Sequence, residues 1–231
     1  MLIDPATGRP LCLIDGNAVT TVRTGAAGGL GLQQFARPDS TRLCLFGTGV
    51  QARIQLDFAL RLLPSLREVL YIGVDGRRNA AFEEGFAARC NIAPVTDRNA
   101  AVAQSDIVIT ATPGAGALFD PDAVQPGTHL NCVGADTRGK RELPDGLLPR
   151  VRLFVDDRTQ AQQIGETQWA PDTPTTELGD LLNGKTLVQR APGDITVFDM
   201  TGLALQDLTV ARLLHERATA TGTGTRLAWP W

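Results

Sequence analysis

The sequence predicts an α/β protein built on a doubly wound parallel sheet, and three observations carry that prediction. A short apolar run, Arg42 to Phe46, leads into Gly47-Thr48-Gly49-Val50-Gln51-Ala52, two glycines one residue apart with a small residue three positions on. From Ser40 onward, short apolar runs alternate with helical patterns, as strand–helix–strand units require. The composition, 43% hydrophobic and 20% charged over 231 residues, supplies a sizeable core for one large or two small domains.

Taken in order, Leu11 to Ile14 reads as a short strand, Asp15-Gly16-Asn17 as a turn and Ala18 to Arg23 as a second strand. Ala26 to Phe35 is rich in small residues and helical in pattern. Strands are predicted at 42–46, 69–74, 106–110, 129–133 and 152–155, and helices at 51–63, 78–89, 97–103 and 158–165. In the first of these helices Ile54, Phe58 and Leu62 recur at i, i+4 and i+8, and Pro64 ends it. Residues 171–192 are rich in Pro, Thr and Gly, with a short helix from Glu177 to Leu182. Ile195 to Phe198 reads as the last strand, and Leu203 to Ala220 as a long amphipathic helix before a Gly/Thr tail.

The glycine turn has the G-x-G-x-x-[GA] form of a Rossmann-type nucleotide site. Gly47 permits the tight turn, Gly49 lets backbone approach phosphates, and Ala52 lets the new helix pack on its strand. The free N–H groups at the helix start suit a pyrophosphate. A nicotinamide or flavin nucleotide is therefore the leading ligand, with Gly47, Thr48, Gly49, Val50 and Gln51 at its phosphates. Asp75, at the end of the second strand, stands where an acid accepts bonds from an adenosine ribose. Arg77 and Arg78 follow and could instead hold a 2′-phosphate, so NAD leads and NADP stays open.

The remaining chemistry is bounded by what is missing. A net charge of −3 without a basic patch argues against nucleic acid as a partner. No apolar stretch approaches membrane-spanning length, and the start lacks a signal pattern. Cys12, Cys44, Cys90 and Cys132 are widely spaced, which reads as core thiols in a reducing cytoplasm and offers no metal-ligand pattern. His129 and His215 likewise form no ligand motif.

Ligands of parallel sheets bind at the carboxyl ends of the strands. Three segments then converge with the glycine turn: Thr110-Ala111-Thr112-Pro113-Gly114, Gly134-Ala135-Asp136 through Glu142, and Asp199-Met200-Thr201-Gly202.

Seven motifs in this order resemble the ornithine cyclodeaminase/mu-crystallin family. They are Arg23-Thr24-Gly-Ala-Ala27, Gly47 to Ala52, Ala111-Thr-Pro113, Asn131-Cys-Val-Gly-Ala-Asp136, Gly139-Lys-Arg-Glu-Leu143, the run Asp156-Asp157, Gln160-Ala161 and Gly165-Glu166, and Thr196 to Gly202. The resemblance covers almost the whole chain. It implies a Rossmann domain, residues 39–199, inserted in a substrate-binding and dimerisation domain of which 1–38 and 200–231 form part. It also implies a homodimer. Family members carry a further N-terminal segment before the strand matched by residues 1–4, so the chain is expected to be truncated relative to them.

The resemblance assigns Arg23, together with Lys140, to the substrate, Arg23 holding the carboxylate through its planar fork. It assigns Asp136 to catalysis, orienting a substrate amine and taking its proton; Gly-Ala-Asp-Thr also reads as an ordinary turn. It places Thr24, Thr110, Ala111, Thr112, Val133, Gly134 and Thr201 along the cofactor. Glu142 is expected to be structural, a cap or an ion-pair partner. Asp207 faces either solvent or the domain interface. The implied activity is conversion of L-ornithine, or a related amino acid, to a cyclic imino acid with release of ammonia, using bound NAD. An NAD(P)-dependent amino-acid dehydrogenase or cyclic ketimine reductase uses the same site, and a non-catalytic nucleotide- or ligand-binding protein is the third reading.

Overall fold

The computed structural model describes residues 1–73 and 76–228. At its start, β1 (Leu2–Ile3) and β2 (Pro10–Cys12) form an antiparallel hairpin. Its turn is held by Asp4, which accepts from Ala6 N (2.9 Å) and the Thr7 hydroxyl (2.8 Å). Helix α1 (Gly16–Phe35) follows as one continuous element. The expected strand at Ala18–Arg23 is therefore corrected. The β-branched run Val19 to Val22 imitates a strand, but Asp15 accepts from Asn17 N at 3.0 Å and starts a helix that the small residues downstream continue.

The βα alternation then runs β3 (Arg42–Phe46), α2 (Val50–Leu62), β4 (Glu68–Ile72), α3 (Ala80–Glu84), β5 (Asn91–Pro94), α4 (Arg98–Ala103), β6 (Ile107–Thr110) and β7 (His129–Cys132). It continues through β8 (Arg152–Val155), α5 (Arg158–Ile164), β9 (Thr175–Glu177), α6 (Leu178–Leu182), β10 (Thr196–Asp199) and α7 (Ala204–Thr221). Strands β3 to β10 form an eight-stranded parallel sheet in the order β5-β4-β3-β6-β7-β10-β8-β9. Strands β5 and β9 are additions to the sequence reading, and the helix expected at 78–89 shortens to α3, capped by Asn79.

The order of the sheet reverses between β3 and β6, the switch point at which such sheets open a crevice. The register aligns Phe46 with Thr110, Thr110 with Cys132, Cys132 with Asp199 and Asp199 with Val155. The loops that carry the predicted site thus leave the sheet along one edge.

Central strands are buried on both faces, as parallel strands covered by helices must be. Along β3, Leu43 and Leu45 join one apolar cluster while Cys44 and Phe46 join the other. The second half of α1 belongs with this sheet. A Cβ at Gly28 would strike Gln55, and one at Gly31 would strike Phe198, so the glycines allow a close approach that offsets their helix cost of about 1 kcal/mol each. Asn131 Nδ2 donates to the Gly28 carbonyl at 2.9 Å, and Phe35 stacks on Phe154 with ring centroids 3.9 Å apart. Beside them His129 is fully buried between Thr196 Oγ1 (2.9 Å) and Asn131 Oδ1 (2.8 Å). Burial lowers its pKa to about 3.

These contacts explain where the chain divides. One compact unit comprises Thr24–Gly202, and the other comprises Met1–Arg23 with the residues from Leu203 on. The two units meet at 23/24, within α1, because the glycine face of its second half packs on α2 and the sheet. In the other unit α7 buries none of its residues, and Leu205, Leu208, Leu213 and Leu214 are exposed. A groove of about 920 Å³ is lined there by Leu11, Leu13, Leu214 and Ala218. Among the described residues no helix is long and apolar enough to cross a membrane.

Candidate functional site

At the switch point, Gly47 has φ +107°, a conformation L side chains rarely adopt. Its N–H donates to the Ile72 carbonyl at 3.0 Å, and a Cβ there would lie 2.5 Å from the Ala111 carbonyl oxygen. Gly49 is different. Its φ is an ordinary −75°, and a Cβ would meet no atom of the described residues within 4 Å. It borders open space at the start of α2, where no side chain caps the helix and no acid occupies the first turn. Gln51 Oε1 is buried there without a hydrogen-bond partner among the described residues. An uncapped helix start facing open space fits a pyrophosphate, whose charge would meet free N–H groups and the helix dipole. Ala52 is fully buried beneath the turn, as its spacing requires.

Thr48 does not stand alone. Its Oγ1 accepts from Asn79 Nδ2 at 3.1 Å, while Asn79 N donates to the Tyr71 hydroxyl at 2.7 Å. Asn79 therefore ties the segment after β4 to the glycine turn, a role without signal in the sequence. Asp75 lies outside the described residues. Arg78 forms a two-pronged pair with Glu83 (2.9 and 2.7 Å), and the Tyr71 hydroxyl donates to the same carboxylate at 2.7 Å. The Arg78 guanidinium holds the Glu83 carboxyl below its usual range. Arg77 is exposed.

Beyond β6 and β7 the predicted residues gather around Glu142. Thr110, Val133 and Gly134 are buried, and Ala111 and Thr112 are half-buried. Glu142 is fully buried and accepts from Thr112 N (2.7 Å), Thr112 Oγ1 (2.7 Å) and Gly134 N (2.8 Å). It forms no ion pair among the described residues, so that expectation gives way to a carboxylate bound by backbone N–H groups and a hydroxyl. Asp136 is exposed at the loop's tip, where its Oδ1 accepts from Lys140 Nζ at 2.6 Å and from Thr137 Oγ1 at 3.1 Å. The sequence assigned Asp136 and Lys140 separately; the structure makes them a pair four residues apart.

Two further carboxylates lie behind this loop. Glu166 accepts from Glu142 N (2.6 Å) and Leu143 N (3.2 Å), and Asp199 accepts from Glu166 N (3.0 Å), Thr167 N (2.9 Å) and Thr167 Oγ1 (2.7 Å). Burial, reinforced by the Asp199 charge, raises Glu166 to about 8, and burial raises Asp199 to about 6 and Glu142 above its usual range. After β10, Asp156 accepts from Thr201 N (2.9 Å), Thr201 Oγ1 (2.9 Å) and Gly202 N (2.6 Å). Gln160 Nε2 donates to Thr201 Oγ1 at 2.9 Å. Sequence reasoning gave these acids no role, since each acts on backbone far along the chain.

Thr24 is buried, and its carbonyl accepts from Gln55 Nε2 at 2.8 Å. Arg23 belongs to the other compact unit, where its Nε lies 3.5 Å from Asp207 on α7. Asp207, left between solvent and interface by the sequence, is thus the Arg23 partner.

A parallel sheet reversing at an uncapped glycine turn, with acid-braced loops along one edge, defines a dinucleotide-type α/β fold. The family model for the ornithine cyclodeaminase/mu-crystallin family matches residues 1–222, and the chain belongs to that family. Its relatives include an alanine dehydrogenase of Archaeoglobus fulgidus, 34% identical over 98% of this chain and 72% of that protein. An archaeal alanine dehydrogenase dimer with bound NAD superposes with a TM-score of 0.90 at 32% identity, covering 98% of this chain and 72% of that one. The Thermococcus litoralis Δ1-pyrroline-2-carboxylate reductase, solved with NADH and L-proline, gives a TM-score of 0.86 at 29% identity over 97% of this chain and 72% of that one.

Proposed function

We propose that this chain is an NAD-dependent oxidoreductase acting at the α-carbon–nitrogen bond of a small amino acid or cyclic imino acid. One observation carries the reading. The open cradle at Gly49 and the Asp136–Lys140 pair leave the same carboxyl edge of one sheet. Family membership and the two NAD-bound solved relatives support it.

Gly47, Thr48, Gly49, Val50 and Gln51 hold the pyrophosphate, and Thr110, Ala111, Thr112, Val133, Gly134, Thr201 and Thr24 line the rest of the nucleotide. Bound nicotinamide supplies the redox chemistry. The Arg78 guanidinium is already taken by Glu83, which favours NAD over a nucleotide bearing a 2′-phosphate. Asp136 orients the substrate nitrogen and moves its proton, Lys140 holds Asp136 in place, and Arg23 holds the substrate carboxylate. The exposed leucines of α7 suit burial against a second copy in a homodimer. The four cysteines stand as free thiols, in keeping with a reducing cytoplasm.

A second reading is ornithine cyclodeamination, the activity that the family's description names first. It needs the same residues, with Asp136 serving the departing amine. A screen of L-alanine, L-proline and L-ornithine with NAD+ and NADP+, following reduced nucleotide and ammonia together, separates the readings. Net reduced nucleotide supports the oxidoreductase. Ammonia without net reduction supports the cyclodeaminase. Nucleotide binding without turnover on any substrate leaves a ligand-binding protein.

A further inference from the structure

The loop from Gly134 to Glu142 is closed on itself by one side chain. Glu142 ends the loop in sequence, yet its carboxylate reaches back to the N–H of Gly134 at the loop's start (2.8 Å). Its other oxygen takes both the N–H and the hydroxyl of Thr112, on the neighbouring strand-end loop (2.7 Å each). The fit leaves no slack, because a Cβ at Gly134 would run into that carboxylate and the Thr112 carbonyl. Outside the ring, Gly139 N donates to Gln168 Oε1 at 2.8 Å, and the Lys140 carbonyl accepts from Trp169 Nε1 at 3.0 Å. Behind it, Glu166 holds the backbone N–H groups of Glu142 and Leu143, and Asp199 holds Glu166 in turn.

A polar carboxyl group is a costly way to fill a core. Glu142, Glu166 and Asp199 are buried, and no cation pairs with them among the described residues. Apolar side chains of similar volume would cost less to bury. What an apolar side chain lacks is the ability to fasten several N–H groups at fixed distances.

We infer that Glu142 is a positioning residue: it locks the ring 134–142 to Thr112, so that the Asp136–Lys140 pair is presented in one geometry beside the nucleotide crevice. Its effect on turnover rests on the oxidoreductase reading above; the lock itself does not. Glu142→Gln preserves shape but replaces one acceptor oxygen with an N–H2 donor, leaving the backbone N–H of either Gly134 or Thr112 facing another donor.

The test is hydrogen exchange on the full chain, paired with steady-state kinetics. In Glu142→Gln, amides in 111–116 and 134–143 are expected to exchange at least about tenfold faster while those of 50–62 stay at the wild-type rate. The kcat is expected to fall at least about tenfold, by a larger factor than KM for NAD rises. Leu130→Ala, a core truncation on β7, controls for general destabilisation and should show neither the local exchange nor the split. If Glu142→Gln does not fold, Thr112→Val removes one donor and should speed exchange in 111–116 more mildly. Wild-type protection of both loops in the variants overturns the lock, as does the same pattern in Leu130→Ala. Wild-type kcat with opened loops overturns the positioning role. Absence of turnover in the wild type overturns the oxidoreductase reading, and exchange still decides the lock.

Discussion

Gly47 and Gly49 sit two residues apart in one motif, yet their replacement by alanine should fail in opposite ways. At Gly47, alanine would be forced to φ +107°, at about 1–2 kcal/mol for a left-handed residue. Its methyl group would also lie 2.5 Å from the Ala111 carbonyl oxygen, a main-chain atom that moves only with β6, adding about 1–3 kcal/mol. The sum is about 3 kcal/mol, which lowers Tm by roughly 6–12 °C for a unit of this size. At Gly49 the backbone is ordinary and the methyl meets none of the described residues, so the loss is about 0.5 kcal/mol from the poorer cap. The same methyl enters the space assigned to the pyrophosphate, so NAD affinity should fall at least about tenfold. Thermal unfolding without nucleotide and calorimetric titration with NAD+ measure both quantities. Gly49→Ala binding NAD like the wild type would refute the phosphate cradle. An unchanged Tm for Gly47→Ala would refute the steric account of the turn.

Three further outcomes follow from the site and the core. Glu166 has a folded pKa of about 8 against 4.5 when free, so its contribution is full below pH 4.5 and is lost as pH rises through 8. Between pH 6.5 and 8 that amounts to at most about 2 kcal/mol, and denaturant unfolding of Glu166→Gln should show a flatter profile there than the wild type. His129 has the opposite sign. Its folded pKa of about 3 lies below the free value of 6.5, so stability present above pH 6.5 is lost as pH falls toward 3, and His129→Gln should reduce that acid sensitivity. Asp136→Ala should reduce turnover about 10²-fold or more while leaving NAD affinity and Tm close to wild type, because the carboxylate is exposed and among the described residues hydrogen-bonds only to Lys140 and Thr137; full turnover would remove it from the chemistry.

The sheet was legible because its central strands are continuous apolar runs, and both 42–46 and 152–155 match their observed strands. Strand β5 was not, since Asn91–Pro94 lies at an edge, is mostly exposed and contains a proline. Strand β9 reads as polar Thr-Thr-Glu and is recognisable only from its pairing with β8. In α1, local β-propensity pointed to a strand at Val19–Val22, and the continuous helix overrode it. For the candidate site, the strand-end rule pointed to loops that leave one edge of the sheet, but not to the acids that brace them. Glu166 and Asp199 act across 24 and 33 residues on backbone atoms, and backbone leaves no trace in side-chain identity.

The buried thiols turn the fold into its own reporter. Cys44 and Cys132 lie in the apolar cluster on one face of the sheet, and Cys90 in the cluster on the other, while Cys12 is partly accessible. Burial also raises the pKa of Cys44, Cys90 and Cys132, so each is withheld from alkylation both by access and by protonation. A small thiol reagent therefore labels one position in the closed protein. The order in which the other three yield records which face of the sheet opens first, without any probe having to be introduced.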